Sequence, residues 1–237
     1  YFRAWDGDGM ELWRSDGTLG GTFQVKDINP GTGHGLPQYL TVSAGVLYFS
    51  ANDGLNGYEL WRSDGTTAGT VLVNYTRPGS GSGYANHIYP FYVGILFTAF
   101  DGTNGYEPFF SDGTSAGTTM LMDIGPGSFS GNPDNYLAIG GQAYFRANEQ
   151  NITGWELYVT DGSPAGTGLV RDLNPGPDQG LAGQMTDLGG TLTFMGDDGV
   201  EGYELWTSDG TTAGTQPLLV SNPSTGDARA NNFVEMG

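Results

Sequence analysis

The sequence predicts an all-β fold, a five-bladed β-propeller whose blades are four-stranded antiparallel sheets. Three observations predict it. One sequence motif recurs along the chain, glycines are frequent throughout, and apolar residues alternate with polar ones between the glycines. Glycine accounts for 42 of 237 residues, well above its usual share. Short alternating segments bounded by turn-forming residues are typical of β-strands. We therefore interpret residues 1–237 as a single propeller domain.

The repeated phrase sets the period of the fold. It reads GYELWRSDGTTAGT at 57–70, and a period near 48 residues is typical of propeller blades. The recurring glutamates are Glu11, Glu59, Glu107, Glu156 and Glu204. The units run approximately over 1–38, 39–86, 87–134, 135–183 and 184–231, and residues 232–237 are expected to complete the first blade.

The second unit shows the strands expected in every blade. We predict strands A to D at Tyr39–Ser43, Val46–Ala51, Tyr58–Ser63 and Thr70–Asn74. Tight turns join A to B and C to D, while longer loops join B to C and D to the next A. Strand C carries large side chains on both faces, so each blade is expected to pack between two others.

The two ends of the sequence indicate how the ring closes. Tyr1-Phe2 matches the Tyr48-Phe49 of strand B, and NNFVEMG at 231–237 matches a strand A with its glycine turn. The last strand is therefore expected to pair in the first blade, which leaves no unpaired end. A linear solenoid is the alternative.

The acidic charge balance limits the classes of partner that the protein is expected to bind. The formal net charge is −18, which disfavours binding to nucleic-acid phosphates. No segment has the run of about 18 apolar residues that a membrane span needs, so no membrane insertion is expected. Neutral polymers and cations remain open as ligands, and the absence of cysteine excludes thiolate metal sites.

The segment ELWRSDGTTAGT at 59–70 resembles the ELWxxDGTxxGT repeat family of exported bacterial proteins. The resemblance covers all five units and is weaker in two of them, where Pro108-Phe109 and Tyr158 depart from the pattern. It implies a repeat domain that is secreted or displayed at the cell surface, and it implies no enzyme activity. In blade number the chain is similar to five-bladed propeller lectins, by analogy of fold alone.

The repeated carboxylates have two interpretations. Asp-Gly is a common turn device, so the repeated aspartate is expected to shape the C–D turn while the glutamate bonds to backbone in an adjoining blade. Acid–base catalysis by a paired Glu and Asp is the alternative. Five equivalent catalytic centres would be unusual, so the repeated motif is expected to have a structural role.

The B–C and D–A loops are expected to share one edge of the propeller, here called the loop rim. Its B–C loops are acidic, which makes calcium a candidate ligand, although no loop completes an EF-hand pattern. Solvated Asp-Gly loops are the alternative. The candidate calcium ligands are Asp6, Asp8, Asp53, Asp101, Asp197 and Asp198.

The long D–A loops combine glycine, amides and scattered rings, which suit sugar hydroxyls and the apolar face of a pyranose. The candidate ligand-binding residues of the loop rim are Trp5, His34, Tyr84, His87 and Phe129. We therefore predict a non-enzymatic binding or adhesion module, with multivalent binding to a glycan or cell-surface polymer. The alternatives are a structural or protein-interaction scaffold, with or without bound calcium, and a glycoside-acting enzyme.

Overall fold

The protein is all-β. Its structure, a computed structural model, describes residues 1–5, 7–150, 152–200 and 202–219. These residues form five antiparallel sheets, one of three strands and four of four strands, each a meander in chain order. The helical structure among them is one 3₁₀ turn at Pro164–Gly166, and no helix in these ranges is long and apolar enough to span a membrane.

The first compact unit, Tyr1–Met120, contains sheets 1 to 3. Sheet 1 consists of β1 (Phe2–Trp5), β2 (Met10–Arg14) and β3 (Phe23–Lys26). Sheet 2 consists of β4 (Gln38–Ser43), β5 (Val46–Asn52), β6 (Tyr58–Ser63) and β7 (Val71–Asn74). Sheet 3 consists of β8 (Asn86–Phe91), β9 (Gly94–Phe100), β10 (Tyr106–Ser111) and β11 (Thr118–Met120).

The second compact unit begins at Leu121 and contains sheets 4 and 5. Sheet 4 consists of β12 (Asp134–Ile139), β13 (Gln142–Glu149), β14 (Gly154–Thr160) and β15 (Gly168–Arg171). Sheet 5 consists of β16 (Leu181–Leu188), β17 (Thr191–Asp197), β18 (Tyr203–Ser208) and β19 (Gln216–Leu219).

The predicted strands of the second repeat are confirmed to within one residue at each end, as the bounds of sheet 2 show. The regular pairing of β5 with β6 places Phe49 opposite Trp61 and Tyr48 opposite Arg62. The predicted closing strand at 232–236 lies outside the described residues.

Neighbouring sheets bury apolar side chains between them within each unit, as the two-sided strands predict. Leu12 of sheet 1 packs in one cluster with Phe49 and Trp61 of sheet 2. The opposite face of sheet 2 contributes Tyr48 and Leu60 to a cluster with sheet 3. Sheets 4 and 5 bury a third cluster. Burial of both faces explains why Phe49 and Leu60 are fully inaccessible to solvent.

The repeated SDGT segment forms the same hydrogen-bonded turn in each repeat. In the second repeat, Asp64 Oδ1 accepts from the amide and the hydroxyl of Thr66 at 2.8 and 2.7 Å. The Thr66 hydroxyl oxygen accepts from Gly69 N at 2.9 Å, and Ser63 and Thr70 share a bond of 2.6 Å across the turn. The aspartate is therefore a turn residue, as predicted.

Two adjacent glycines in the first of these turns are expected to respond to alanine substitution with opposite changes in stability. A Cβ on Gly20 meets no atom and its φ is not positive, whereas a Cβ on Gly21 would overlap the Asp16 carboxylate. We expect Gly20→Ala to stabilise the protein by about 0.4–1 kcal/mol through the unfolded state. Gly21→Ala is expected to lower the free energy of unfolding in urea. The same sign for both variants would contradict this description of the turn.

Candidate functional site

A buried glutamate in strand C clamps the loop that leads to the next sheet. Glu59 is fully buried; its carboxylate accepts from Thr76 N at 2.9 Å, the Thr76 hydroxyl at 2.7 Å and Gly83 N at 3.0 Å. Glu11 and Glu156 bind the amides 17 and 24 residues later in the same way. The glutamate thus bonds to its own D–A loop, which corrects the expectation of a partner within an adjoining blade.

The D–A loop that Glu59 holds also forms a hydrogen bond with the next sheet. Gly83 O accepts from Phe100 N of sheet 3 at 2.8 Å, and Gly83 N also donates to Tyr58 O at 2.9 Å. A Cβ on Gly83 would overlap the Thr76 hydroxyl, so the position requires glycine because of close approach. Glu59 therefore fixes the backbone immediately before Tyr84.

That backbone borders a cavity of about 320 Å³ between sheets 2 and 3, here called the tyrosine cup. Small-molecule sites commonly have volumes of about 300–1,000 Å³, so the tyrosine cup is large enough for a small ligand. Amide, hydroxyl and phenol groups line it, and no charged side chain does. The lining residues are Gln38, Tyr39, Ser50, Tyr58, Tyr84, Ala85, Asn86 and Tyr106.

The aromatic rings of the tyrosine cup are held by contacts with each other and with the backbone. The rings of Tyr58 and Tyr84 stack with centroids 5.7 Å apart and an interplanar angle of 17°. Tyr58 N donates to Ser82 Oγ, and Tyr84 N donates to Tyr58 O. Tyr84 nevertheless keeps 47% of its surface exposed. This combination of a fixed ring and an open face suits stacking against a ligand.

Two of these tyrosines adopt left-handed backbone conformations. Tyr39 has φ of 54° and Tyr84 has φ of 49°, a region that costs non-glycine residues about 1–3 kcal/mol. The position of Tyr39 is also left-handed in sheets 3, 4 and 5, at His87, Asn135 and Gln184. The left-handed conformation is therefore a feature of the first strand of these sheets, and the side chain at that position differs from sheet to sheet.

Two phenols of the tyrosine cup, those of Tyr58 and Tyr106, stay neutral. Burial raises the pKa of Tyr58 and of Tyr106, and the neighbouring Tyr84 adds to both shifts. Neutral phenols can both donate and accept hydrogen bonds. Together with the amides of Gln38 and Asn86, they offer polar groups of both kinds around the aromatic faces.

The four predicted ligand-binding residues of the first unit do not form one site. Tyr84 lies in the tyrosine cup, and the exposed His87 follows it in β8 without lining it. Trp5 and His34 form a separate pair with ring centroids 5.4 Å apart, and His34 Nδ1 accepts from Met10 N. Phe129 is exposed in the second unit.

Of the eight lining residues only Tyr84 was predicted as a site residue, and the seven that were missed include the other three tyrosines. Tyr58 and Tyr106 stand beside the repeated glutamate and resemble packing residues, and Tyr39 begins a strand. A signal was present, because the same places in the other repeats carry Met10 and Trp155. Variation at a fixed repeat position could have marked them.

Four of the six predicted calcium ligands accept hydrogen bonds from amides of their own loops. Asp53 Oδ1 accepts from the amides of Leu55 and Asn56, Asp101 repeats this arrangement, and Asp197 and Asp198 each accept from the amide two residues on. No group of three or more His, Asp or Glu residues in the described ranges could hold a metal ion. Asp6 lies outside those ranges, and Asp8 is exposed. Calcium stays a prediction, which melting curves in calcium and in EDTA would test.

The buried glutamate predicts an unusual pH dependence of the free energy of unfolding. Burial raises the pKa of Glu156 to about 8 from 4.5, and its two backbone donors only partly oppose the shift. Because the folded state then holds the proton more tightly than the unfolded state, this carboxyl contributes stability that is lost as pH rises from about 4.5 to about 8.

Glu156→Gln is expected to lower the free energy of unfolding by about 1–3 kcal/mol, because an amide nitrogen cannot accept a backbone N–H. The difference from the wild type should be largest near pH 5 and smallest above pH 8. Urea unfolding across this range measures it, with Glu149→Gln in the same sheet as the control. A difference that grows with pH would contradict the raised pKa.

Comparisons with known proteins agree with an all-β fold and leave the activity open. No protein-family model matches the chain, and no curated protein matches it. A puromycin-hydrolyzing peptidase of Mycobacterium tuberculosis is 14% identical with a TM-score of 0.51, over 90% of this chain and 32% of that one. A puromycin hydrolase mutant complexed with PGG gives 13% identity and a TM-score of 0.53 over 91% and 32%. This chain thus spans about a third of each, and the likeness is one of fold alone.

Proposed function

We propose that the protein is a non-enzymatic binding module whose ligand is a glycan. The observation that carries the proposal is the tyrosine cup, where stacked rings stand beside amides and hydroxyls. Sugar rings present an apolar face and polar edges, so they match this arrangement. The amide of Gln38 and the ring of Tyr84 represent the two kinds of contact required.

The lining of the tyrosine cup also favours binding over catalysis. Glycoside hydrolysis usually needs a pair of carboxylates beside the scissile bond, and none of the lining residues has one. The nearest repeated carboxylate in sequence, Glu59, is fully buried and occupied by its loop. We therefore propose recognition without turnover.

We further propose that the sheets form a five-bladed ring in a secreted or cell-surface protein. The five repeats and the resemblance to exported repeat proteins support this. Exposed rings such as Trp5 and Phe129 would add weak contacts along a polymer. The proposed role is adhesion to a polysaccharide.

Ring closure can be tested by truncation. Deleting the residues after Asp227 is expected to expose strand edges and to make thermal unfolding less cooperative, because the first blade would lose its strand A. Removing Gly237 alone is the control. If the shortened chain melts like the full chain, the closed ring is wrong and a linear array is favoured.

Glycan binding can be tested with a glycan array followed by titration of the polysaccharides that bind. We expect a Kd near ~1 mM for a single sugar and roughly 10²-fold tighter apparent binding to a polymer. Tyr84→Ala should weaken binding about fivefold, in line with the loss of one aromatic contact.

The matched control for that variant is Tyr92→Ala, an exposed tyrosine with φ of 53° in the β8–β9 turn. It should leave binding unchanged. Chromatography of the polysaccharide after incubation distinguishes the remaining outcomes. Shortened chains would show an enzyme, and binding to a protein partner with no glycan bound would favour an interaction scaffold.

A further inference from the structure

The residues that form the tyrosine cup have counterparts in the other sheets, and the structure shows how the counterparts in sheet 4 differ, whereas sheet 3 pairs Asn86 with the small Thr98. In sheet 2, Gln38 of β4 pairs with Ser50 of β5. In sheet 4 the same register positions hold Asp134 and Arg146, and Trp155 takes the place of Tyr58 at the start of strand C. The side chain opposite the start of strand A is therefore small in one sheet and long in the other.

The long side chain covers its ring. The Arg146 guanidinium carbon lies 4.3 Å from the Trp155 ring centroid. Asp134 holds the guanidinium in place by accepting from Nε at 2.9 Å and from Nη2 at 2.7 Å. The aromatic face that would meet a ligand in sheet 4 is thus occupied by the protein's own cation.

The first repeat also departs from the tyrosine cup. Arg3 stands where sheet 2 has Ser50, and Met10 stands where it has Tyr58. In sheet 2 the side chain of Ser50 is too short to cover the face of Tyr58. The buried Ser50, only 2% exposed, forms part of the cavity lining instead.

We propose that the tyrosine cup binds an uncharged pyranose ring and that the small Ser50 keeps it open. This inference rests on the proposed glycan-binding function and adds the class of sugar and the residue that controls access. No lining residue is charged, and the two arginines whose charge acts on its tyrosines, Arg3 on Tyr58 and Arg77 on Tyr106, lie outside the lining. A uronate or an amino sugar would therefore lose hydration without gaining a partner in the lining. The net charge of −18 further disfavours a uronate.

The decisive variant rebuilds the arrangement of sheet 4 in sheet 2. Gln38→Asp with Ser50→Arg should place a paired guanidinium over Tyr58, as Asp134 and Arg146 do over Trp155. Val93→Arg adds the same guanidinium, without the paired carboxylate, at a position that is 72% exposed in the β8–β9 turn and outside the lining. Melting temperature and near-ultraviolet circular dichroism report whether each variant keeps the fold.

The probes are the methyl glycosides of glucose, galactose, mannose and N-acetylglucosamine, with glucuronic acid and glucosamine as charged counterparts. Amide resonances of the ¹⁵N-labelled protein report binding. We expect at least one neutral glycoside to shift the amides of Tyr84 and Asn86 with a single binding isotherm. The double variant should weaken this binding more than tenfold, and Val93→Arg should leave it within twofold.

Each other outcome contradicts a defined part of the proposal. Equal binding of charged and neutral sugars would overturn the neutral class. Undiminished binding by a folded double variant would overturn the role of Ser50. Polysaccharide binding that leaves Tyr84 and Asn86 unshifted would overturn the site while the glycan-binding function stands. If no glycan binds in any format, the proposed function fails and this inference fails with it.

Discussion

The rest of the structure depends on the hydrogen bonds of a buried carboxylate. A buried polar group is costly unless it is hydrogen-bonded, and the carboxyl groups of Glu11, Glu59 and Glu156 each accept from amides 17 and 24 residues later. The amide donor 24 residues on is always a glycine, and its carbonyl accepts from the second strand of the next sheet. One side chain thus fixes a strand, a loop and the start of the following sheet.

The same hydrogen bonds explain how the tyrosine cup keeps fixed walls on a chain so rich in glycine. Tyr58 immediately precedes Glu59, and Tyr84 immediately follows the clamped Gly83. The two stacked rings are therefore attached to backbone that the buried carboxylate holds. A side chain keeps its geometry better on a fixed element than on a free loop. The repeated glutamate and glycine fix the backbone, and the side chains next to them vary between repeats.

Much of the fold could be predicted from the sequence because its causes are local. Alternation and Asp-Gly turns define the strands of sheet 2 to within one residue, and the aspartate turns behave as expected. The glutamate's partners could not be predicted, since they depend on where a long loop returns. The tyrosine cup was missed for a related reason: whether the ring of Tyr58 is open depends on the size of Ser50 across the strand pair, which periodicity does not report.

The acidity of the chain also gains a structural explanation. The five turn aspartates, such as Asp16 and Asp64, accept from a threonine or serine hydroxyl and a backbone amide, and these bonds lower their pKa. Asp53 and Asp101 close their loops in a similar way, and there amide donors outweigh the burial that would raise the pKa. Seven of the 26 acidic residues are thus a consequence of turn chemistry. The net charge therefore disfavours polyanionic partners, and the uncharged lining of the tyrosine cup is consistent with the neutral sugar that we propose.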